Sequence, residues 1–217
     1  MEKIIGGIVL EQVAPKEIEK RSFEIITEEL KGRTFPADQD SIIKRAIHTS
    51  ADFDYADNLC FSENAVAIAK EAILNGACIV TDTQMAKAGI NKKSLGRHGG
   101  EVYCFMSDED VAAEAKERGV TRAAISMEKA CKLEKDVIFA IGNAPTALVE
   151  LYELIQKGKI KPKLIIGVPV GFVNVVQAKE LIMTAGVPYI VARGRKGGSN
   201  VAAAICNGLL YQINDER

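Results

Sequence analysis

Two histidines stand in this chain, and the one at position 48 sits in a pattern suited to handling a proton. It lies in Ser41-Ile42-Ile43-Lys44-Arg45-Ala46-Ile47-His48-Thr49-Ser50-Ala51-Asp52-Phe53-Asp54. Read as helix over 41–48, Ile42, Ile43, Ala46 and Ile47 form an apolar stripe, while Ser41, Arg45 and His48 gather on another face. Arg45 and His48, three apart, are neighbours there. An imidazole gives or takes a proton near neutral pH. A helix C-terminus and a nearby Asp52 would favour its charged form, and Arg45 would oppose it. The same pattern also fits a histidine that merely closes a helix, so the rest of the chain must decide.

Few competing chemistries find residues. His98, in Gly96-Arg97-His98-Gly99-Gly100, lies in a polar, glycine-rich loop and reads as incidental. No further imidazole is present, so a histidine-rich metal site is excluded and no metal is expected. No Gly-x-Ser-x-Gly elbow marks a hydrolase. Cys60, Cys78, Cys104, Cys131 and Cys206 are scattered, odd in number and form no CxxC, so neither a disulfide framework nor a zinc site is expected. That usage predicts a reduced, cytoplasmic setting. The net charge of -1 lacks the clustered basic excess of a nucleic-acid footprint. No run approaches the ~20 apolar residues of a membrane span. The Ile4–Leu10 run is short and lacks a cleavage pattern, so no signal peptide is read.

The elements that must position these residues follow from periodicity. At 217 residues the chain is taken as a single α/β domain, with residues 1–62 as an N-terminal helical extension carrying His48 and 63–217 as a doubly wound core. Residues 1–12 hold a short strand. Pro15 opens a helix that runs to about Leu30 and stops at Gly32, burying Ile18, Ile25, Ile26 and Leu30. Ser62 caps a helix with Ala65, Val66, Ala69, Ala72 and Ile73 inside, ended by Gly76. After Gly76, short apolar runs recur at Ala77–Val80, Val102–Met106, Val137–Ile141, Leu164–Val168 and Tyr189–Ala192. Helical stretches lie at about 84–89, 109–131 (broken near Gly119), 145–157, 174–185 and 200–211. Continuous apolar runs are what strands buried on both faces look like. The expectation is a three-layer α/β/α domain with a mainly parallel, five-stranded sheet in the flavodoxin-like order 2-1-3-4-5.

Such sheets bind ligands outside the carboxyl ends of their strands. The least routine residues fall there: Thr81, Asp82 and Met85 after strand one; Gly142-Asn143-Ala144-Pro145-Thr146 after strand three; Pro169-Val170-Gly171-Phe172 after strand four. Each has a plain alternative, Asn143, Pro145 and Asp82 as helix-start residues and Gly171 as a turn residue. The strand-five loop, Arg193-Gly194-Arg195-Lys196-Gly197-Gly198-Ser199, is harder to set aside. Its glycines admit a close ligand, Ser199 opens a helix, and Arg195 and Lys196 add positive charge, which together suit a phosphate or carboxylate. It is not a Walker loop, and no GxGxxG follows the first strand, so nucleotide readings lack support.

Taken in order, Arg21-Ser22-Phe23, Ile47-His48-Thr49 with Ala51-Asp52-Phe53-Asp54, Ile79-Val80-Thr81-Asp82 with Met85 and Ala88-Gly89-Ile90, Phe139–Leu148, Gly167–Val173 and Gly194–Ser199 resemble the precorrin-8X methylmutase family of cobalamin biosynthesis. The likeness runs from about residue 15 to residue 210. It implies a cofactor-free isomerase that moves a methyl group from C-11 to C-12 of a corrin ring by a formal [1,5]-sigmatropic shift, giving hydrogenobyrinic or cobyrinic acid. It puts the catalytic histidine at His48, acting on a ring nitrogen. Ser22, Arg45, Thr49, Asp52, Thr81, Asp82, Met85, Arg122, Asn143, Pro145, Thr146, Val170, Gly171, Phe172, Arg195, Gly197 and Gly198 are the expected substrate-binding residues. It also implies a homodimer with shared active sites. Ala51-Asp52-Phe53-Asp54 is similar to the cobalt-dependent branch. Gln177-Ala178 and Ser50 depart from the usual Glu-Ser and Thr. The competing readings are a carrier for a corrinoid or other polycarboxylate and, behind it, a transferase for a phosphate ligand.

Overall fold

A computed structural model describes residues 2–214. The chain opens with a hairpin, β1 (Glu2–Ile5) and β2 (Ile8–Glu11), where a single short strand is expected from the sequence. Gly6 and Gly7, both at positive φ, make its two-residue turn. Its apolar side chains Ile4, Ile5, Ile8, Val9 and Leu10 are all exposed. A 3₁₀ turn at Pro15–Glu17 leads into α1 (Ile18–Glu29). Only part of its expected apolar side is buried: Ile26 and Leu30 are, whereas Ile18 and Ile25 stay exposed. The reason is that α1 packs chiefly on one neighbour, α2 (Ala37–Ser50).

Helix α2 starts after Pro36, earlier than the sequence predicts, with Asp38 and Asp40 in its first turn. It ends at Ala51, whose left-handed backbone (φ 53°) lets its N–H return to Ile47 O. Ile42, Ile43, Ala46 and Ile47 are buried, as the stripe requires. The chain continues through α3 (Tyr55–Asn58), β3 (Leu59–Phe61) and α4 (Ala65–Leu74). Ser62 does not cap α4 with its side chain; its hydroxyl accepts the N–H of Tyr189, and Asn64 holds the cap position.

The alternating part then runs β4 (Cys78–Thr81), α5 (Gln84–Gly89), α6 (Lys92–Gly96), β5 (Val102–Tyr103), α7 (Glu109–Arg118), α8 (Arg122–Ala130), β6 (Val137–Ile141), α9 (Pro145–Gln156), β7 (Leu164–Gly167), α10 (Val175–Met183), β8 (Tyr189–Ala192) and α11 (Ser199–Asn214). The sheet is six-stranded, not five, in the order β3-β8-β7-β6-β4-β5. Five strands are parallel; β3 is the addition, antiparallel to β8 with Cys60 opposite Val191. An antiparallel edge on an otherwise parallel sheet is common, and a strand of three residues directly after α3 gives little sequence signal.

Both faces are covered. Ile79, Ile138, Ile166 and Ile190 meet one core with residues of α2, α4 and α11, while Val80, Phe139, Ile141 and Ile165 meet another with residues of α8, α9 and α10. Successive side chains of a strand therefore enter opposite cores, which explains the unbroken apolar runs. Helix α11 lies along α2, and Gly208 permits the approach: a Cβ there would come within 3.2 Å of Ile42 Cγ1. That contact fixes the helix bearing His48 against α11, which itself packs on β6 and β7. Among the described residues no helix is long and apolar enough to cross a membrane.

Candidate active site

The polar face of α2 opens into a cavity of about 580 Å³. Arg45, His48 and Thr49 line it from α2, Pro15 from the 3₁₀ turn, Ile18 and Glu19 from the start of α1, and Asn200, Asn207 and Tyr211 from α11. Gly89, Ala203 and Ala204 complete the wall with little bulk, and a Cβ at Gly89 would stand 2.9 Å from that of Ala203. His48 is exposed, and its ring rests on Phe23 with centroids 5.4 Å apart. The Arg45 guanidinium lies between the rings of Phe23 (5.3 Å) and Tyr211 (4.6 Å), a cation–π sandwich, and donates to Glu19 Oε1 at 2.9 Å. Phe23 thus touches both Arg45 and His48.

Asp52 does not serve His48 as expected. Its carboxylate pairs with Lys196, whose hydrogen bond holds Asp52 below the usual carboxylate range against the opposing effect of burial. Lys196 also reaches Asp54, so the strand-five loop is tied to the segment after α2. Asn200 adds a second tie, donating to Thr49 O at 3.3 Å.

At the strand ends the structure separates contact from support. Thr81 and Asp82, expected at the substrate, are fully buried. The Thr81 hydroxyl donates to Thr83 O, and Asp82 accepts the N–H groups of Gly142, Asn143 and Ala144 at 2.9, 2.8 and 2.6 Å. Burial pushes the Asp82 carboxyl up while the three N–H donors pull it down, burial being the larger effect. Asp82 thus shapes the loop before α9, and Thr81 the turn that leads into α5. Gly197 likewise supports: a Cβ there would lie 2.1 Å from Val168 O, and Gly198 is buried with its N–H on that same oxygen.

Of the residues expected at this end, Asn143, Thr146, Val170, Phe172 and Arg195 are exposed, with Gly171 and Pro145 half-buried beside them. Arg195 stands over the Phe172 ring at 5.4 Å, and the Thr121 hydroxyl donates to Thr146. Arg122, in the first turn of α8, and Met85, on α5, are exposed. None of these lines the cavity beside His48. Ser22 faces a small separate hollow shared with His48 and Phe53, its hydroxyl donating to Ile18 O. Glu19, Asn200, Asn207 and Tyr211 are cavity residues that the sequence reading missed. Asn200, Asn207 and Tyr211 recur at spacings of seven and four, a polar stripe on an otherwise apolar helix, and that was the available signal. Among the described residues no three His, Cys, Asp or Glu side chains come together as a metal site.

A sequence profile of the family described as precorrin-8X methylmutase matches residues 17–212. The chain is 48% identical over 197 residues to the cobalt-precorrin-8 methylmutase of Priestia megaterium, covering 91% of this chain and 88% of that one. It is 42% identical to the enzyme of the same name from Salmonella typhimurium over 207 residues, 93% and 97% of the two chains. The crystal structure of the precorrin-8X methyl mutase from Thermus thermophilus superposes with a TM-score of 0.84 at 37% identity, covering 92% of this chain and 98% of that one. With the doubly covered, mainly parallel sheet, these likenesses settle the family: the chain belongs to the precorrin-8X methylmutases and is an isomerase of cobalamin biosynthesis that transfers a methyl group within one molecule.

Proposed function

We propose that this isomerase moves the methyl group of cobalt-precorrin-8 from C-11 to C-12, with His48 giving a proton or a strong hydrogen bond to a ring nitrogen. The observation that carries the assignment of His48 is its place: an exposed imidazole on the wall of the cavity, seated on Phe23 and next to Arg45. The C-11–CH₃ bond breaks as the C-12–CH₃ bond forms, and the ring's π electrons redistribute. A proton on the neighbouring ring nitrogen makes that redistribution easier. The substrate is a flat macrocycle fringed with carboxylates, which suits an apolar cleft rimmed by guanidinium groups. Arg45, Arg122 and Arg195 are assigned to those carboxylates, Ser22, Thr49 and Asn143 to polar contacts, and Met85, Val170 and Phe172 to the ring faces. The cobalt form is preferred because the Priestia and Salmonella relatives are named for it. No added cofactor enters this scheme.

Arg195 and Phe172 do not share the cavity with His48, and the macrocycle is broad for one crevice. We therefore take the working unit to be a homodimer in the cytoplasm, each cleft completed by the second copy, with each chain one domain. Light scattering checks this directly: twice 23.5 kDa supports it, and a monomer at working concentration counts against it. The reaction is tested by mixing the purified protein with metal-free and cobalt-loaded precursor and following the absorption spectrum. Conversion of the cobalt form to the rearranged corrin is the expected result. A bound but unchanged spectrum with both forms would return the carrier reading.

A further inference from the structure

Among the described lysines, Lys179 is the one with no exposed surface. It stands on α10 beside buried Ala178 and near Ile182, and no described carboxylate pairs with it. Its ammonium instead donates to two backbone carbonyls, Gly194 O at 2.9 Å and Lys196 O at 2.8 Å. The carbonyl between them, Arg195 O, accepts the N–H of Gly171 at 3.1 Å. Three consecutive carbonyls are thus held, two by Lys179 and the middle one by Gly171, while the Arg195 and Lys196 side chains stay exposed.

Burying a cation without a counter-ion is unfavourable, and burial brings Lys179 down to about 8. An apolar residue of that length would fill the space without this cost. What it could not do is hold a loop whose glycines leave the backbone free: Gly194 sits at φ 76° and Gly198 at φ 143°. The held loop carries Arg195 over Phe172 and sends Lys196 to Asp52, next to the end of the His48 helix.

We propose that Lys179 is a positioning residue for the methyl transfer, fixing the main chain of 194–196 so that Arg195 meets a substrate carboxylate. The proposal rests on the assignment of Arg195 to a carboxylate, and its test separates the two. Steady-state assays compare the parent with Lys179→Met, Arg195→Ala and the double variant. Each single change raises KM about tenfold with kcat within about threefold, as loss of one charge-assisted contact predicts, and the double variant is little worse than either. A purely structural lysine would lower Tm and leave the KM-to-kcat split unmoved. If Arg195→Ala raises KM and Lys179→Met does not, or if the two effects multiply, the positioning role is wrong and the Arg195 assignment stands. If Arg195→Ala leaves KM unchanged, the assignment fails and takes the proposal with it. Should Lys179→Met not fold, Lys179→Gln keeps one donor and replaces it. Native trypsin digestion of the unmodified protein needs no variant: a loop so held resists cutting after Arg195 and Lys196, and rapid cutting there overturns the proposal.

Discussion

The Lys196 ammonium lies 2.6 Å from the Asp52 carboxylate and 2.6 Å from that of Asp54, joining the loop after β8 to the turn after α2. The turn is braced from within as well, since Asp54 N–H donates to Asp52 and Asp52 N–H to Ser50 Oγ. Asp52 is lowered, chiefly by the Lys196 hydrogen bond, so its share of stability is present above the unfolded carboxylate range near pH 4 and lost as pH falls through its lower folded value. Lys196 is raised, chiefly by Asp52 and Asp54, so its share is present below the unfolded lysine range and lost only in strong alkali. Lys196→Met should therefore lower Tm at pH 7, where it leaves two carboxylates facing each other. The gap to the parent should narrow below about pH 4, and 1 M salt should reduce it at pH 7. Equal Tm values at pH 7 would mean that the pair holds nothing together.

His48 is expected to matter for the chemical step far more than for binding. General acid catalysis is typically worth ~10²–10⁴ in rate, so His48→Ala or His48→Asn should lower turnover by about that factor. Substrate and product affinity, followed by the corrin absorption, should change little because other groups hold the carboxylates. Slow product release follows from the same logic, and the protein should copurify with coloured corrinoid. Turnover within about tenfold of the parent would remove the acid role and leave the enzyme acting by holding the ring in a reactive shape.

The parallel strands were legible because each is buried on both sides, which writes a continuous apolar run such as Val137–Ile141. Strand β3 was not, since Leu59–Phe61 is a strand only by pairing with Ile190–Ala192, more than 120 residues on. The faces of α2 were legible because one apolar stripe fixes the others, and this brought Arg45 and His48 to one cavity, whereas Ser41, expected with them, meets Gln212 instead. Asp82 shows the limit. An aspartate after a strand reads alike whether it faces a ligand or the N–H groups of Gly142, Asn143 and Ala144. Lys179 shows it again: its burial depends on where the loop after β8 passes, and nothing near it in sequence records that.

Asp82 should accordingly behave as a structural residue. Asp82→Ala would strand three N–H groups just before α9, that of Gly142 buried and those of Asn143 and Ala144 partly so. Hydrogen bonds to a charged group are worth about 1.5–3 kcal/mol each, so a loss of about 3 kcal/mol or more is expected in chemical denaturation. Asp82→Asn keeps the shape and can still accept with its oxygen, so it should lose less. A variant as stable as the parent would show that water or a relaxed loop satisfies those groups.

Gly194 and Gly197 of the strand-five loop separate steric room from backbone angle. At Gly197 a Cβ would lie 2.1 Å from Val168 O and within 3 Å of two more backbone atoms, Val168 C and Pro169 C. Backbone cannot rotate aside as a flexible side chain can, so Gly197→Ala must push the loop off β7. Overpacking of this kind costs about 1–3 kcal/mol, and moving Arg195 and Lys196 with the loop should also raise KM. At Gly194 a Cβ meets nothing within 4 Å, but φ is 76°. There the cost is conformational alone, about 1 kcal/mol, with the loop's path kept. Gly194→Ala should therefore lower stability modestly and leave KM near the parent value, while Gly197→Ala changes both. Denaturation midpoints and KM measured on the two variants decide it. If Gly197→Ala binds substrate as the parent does, the loop's position against Val168 is not what orients its basic residues.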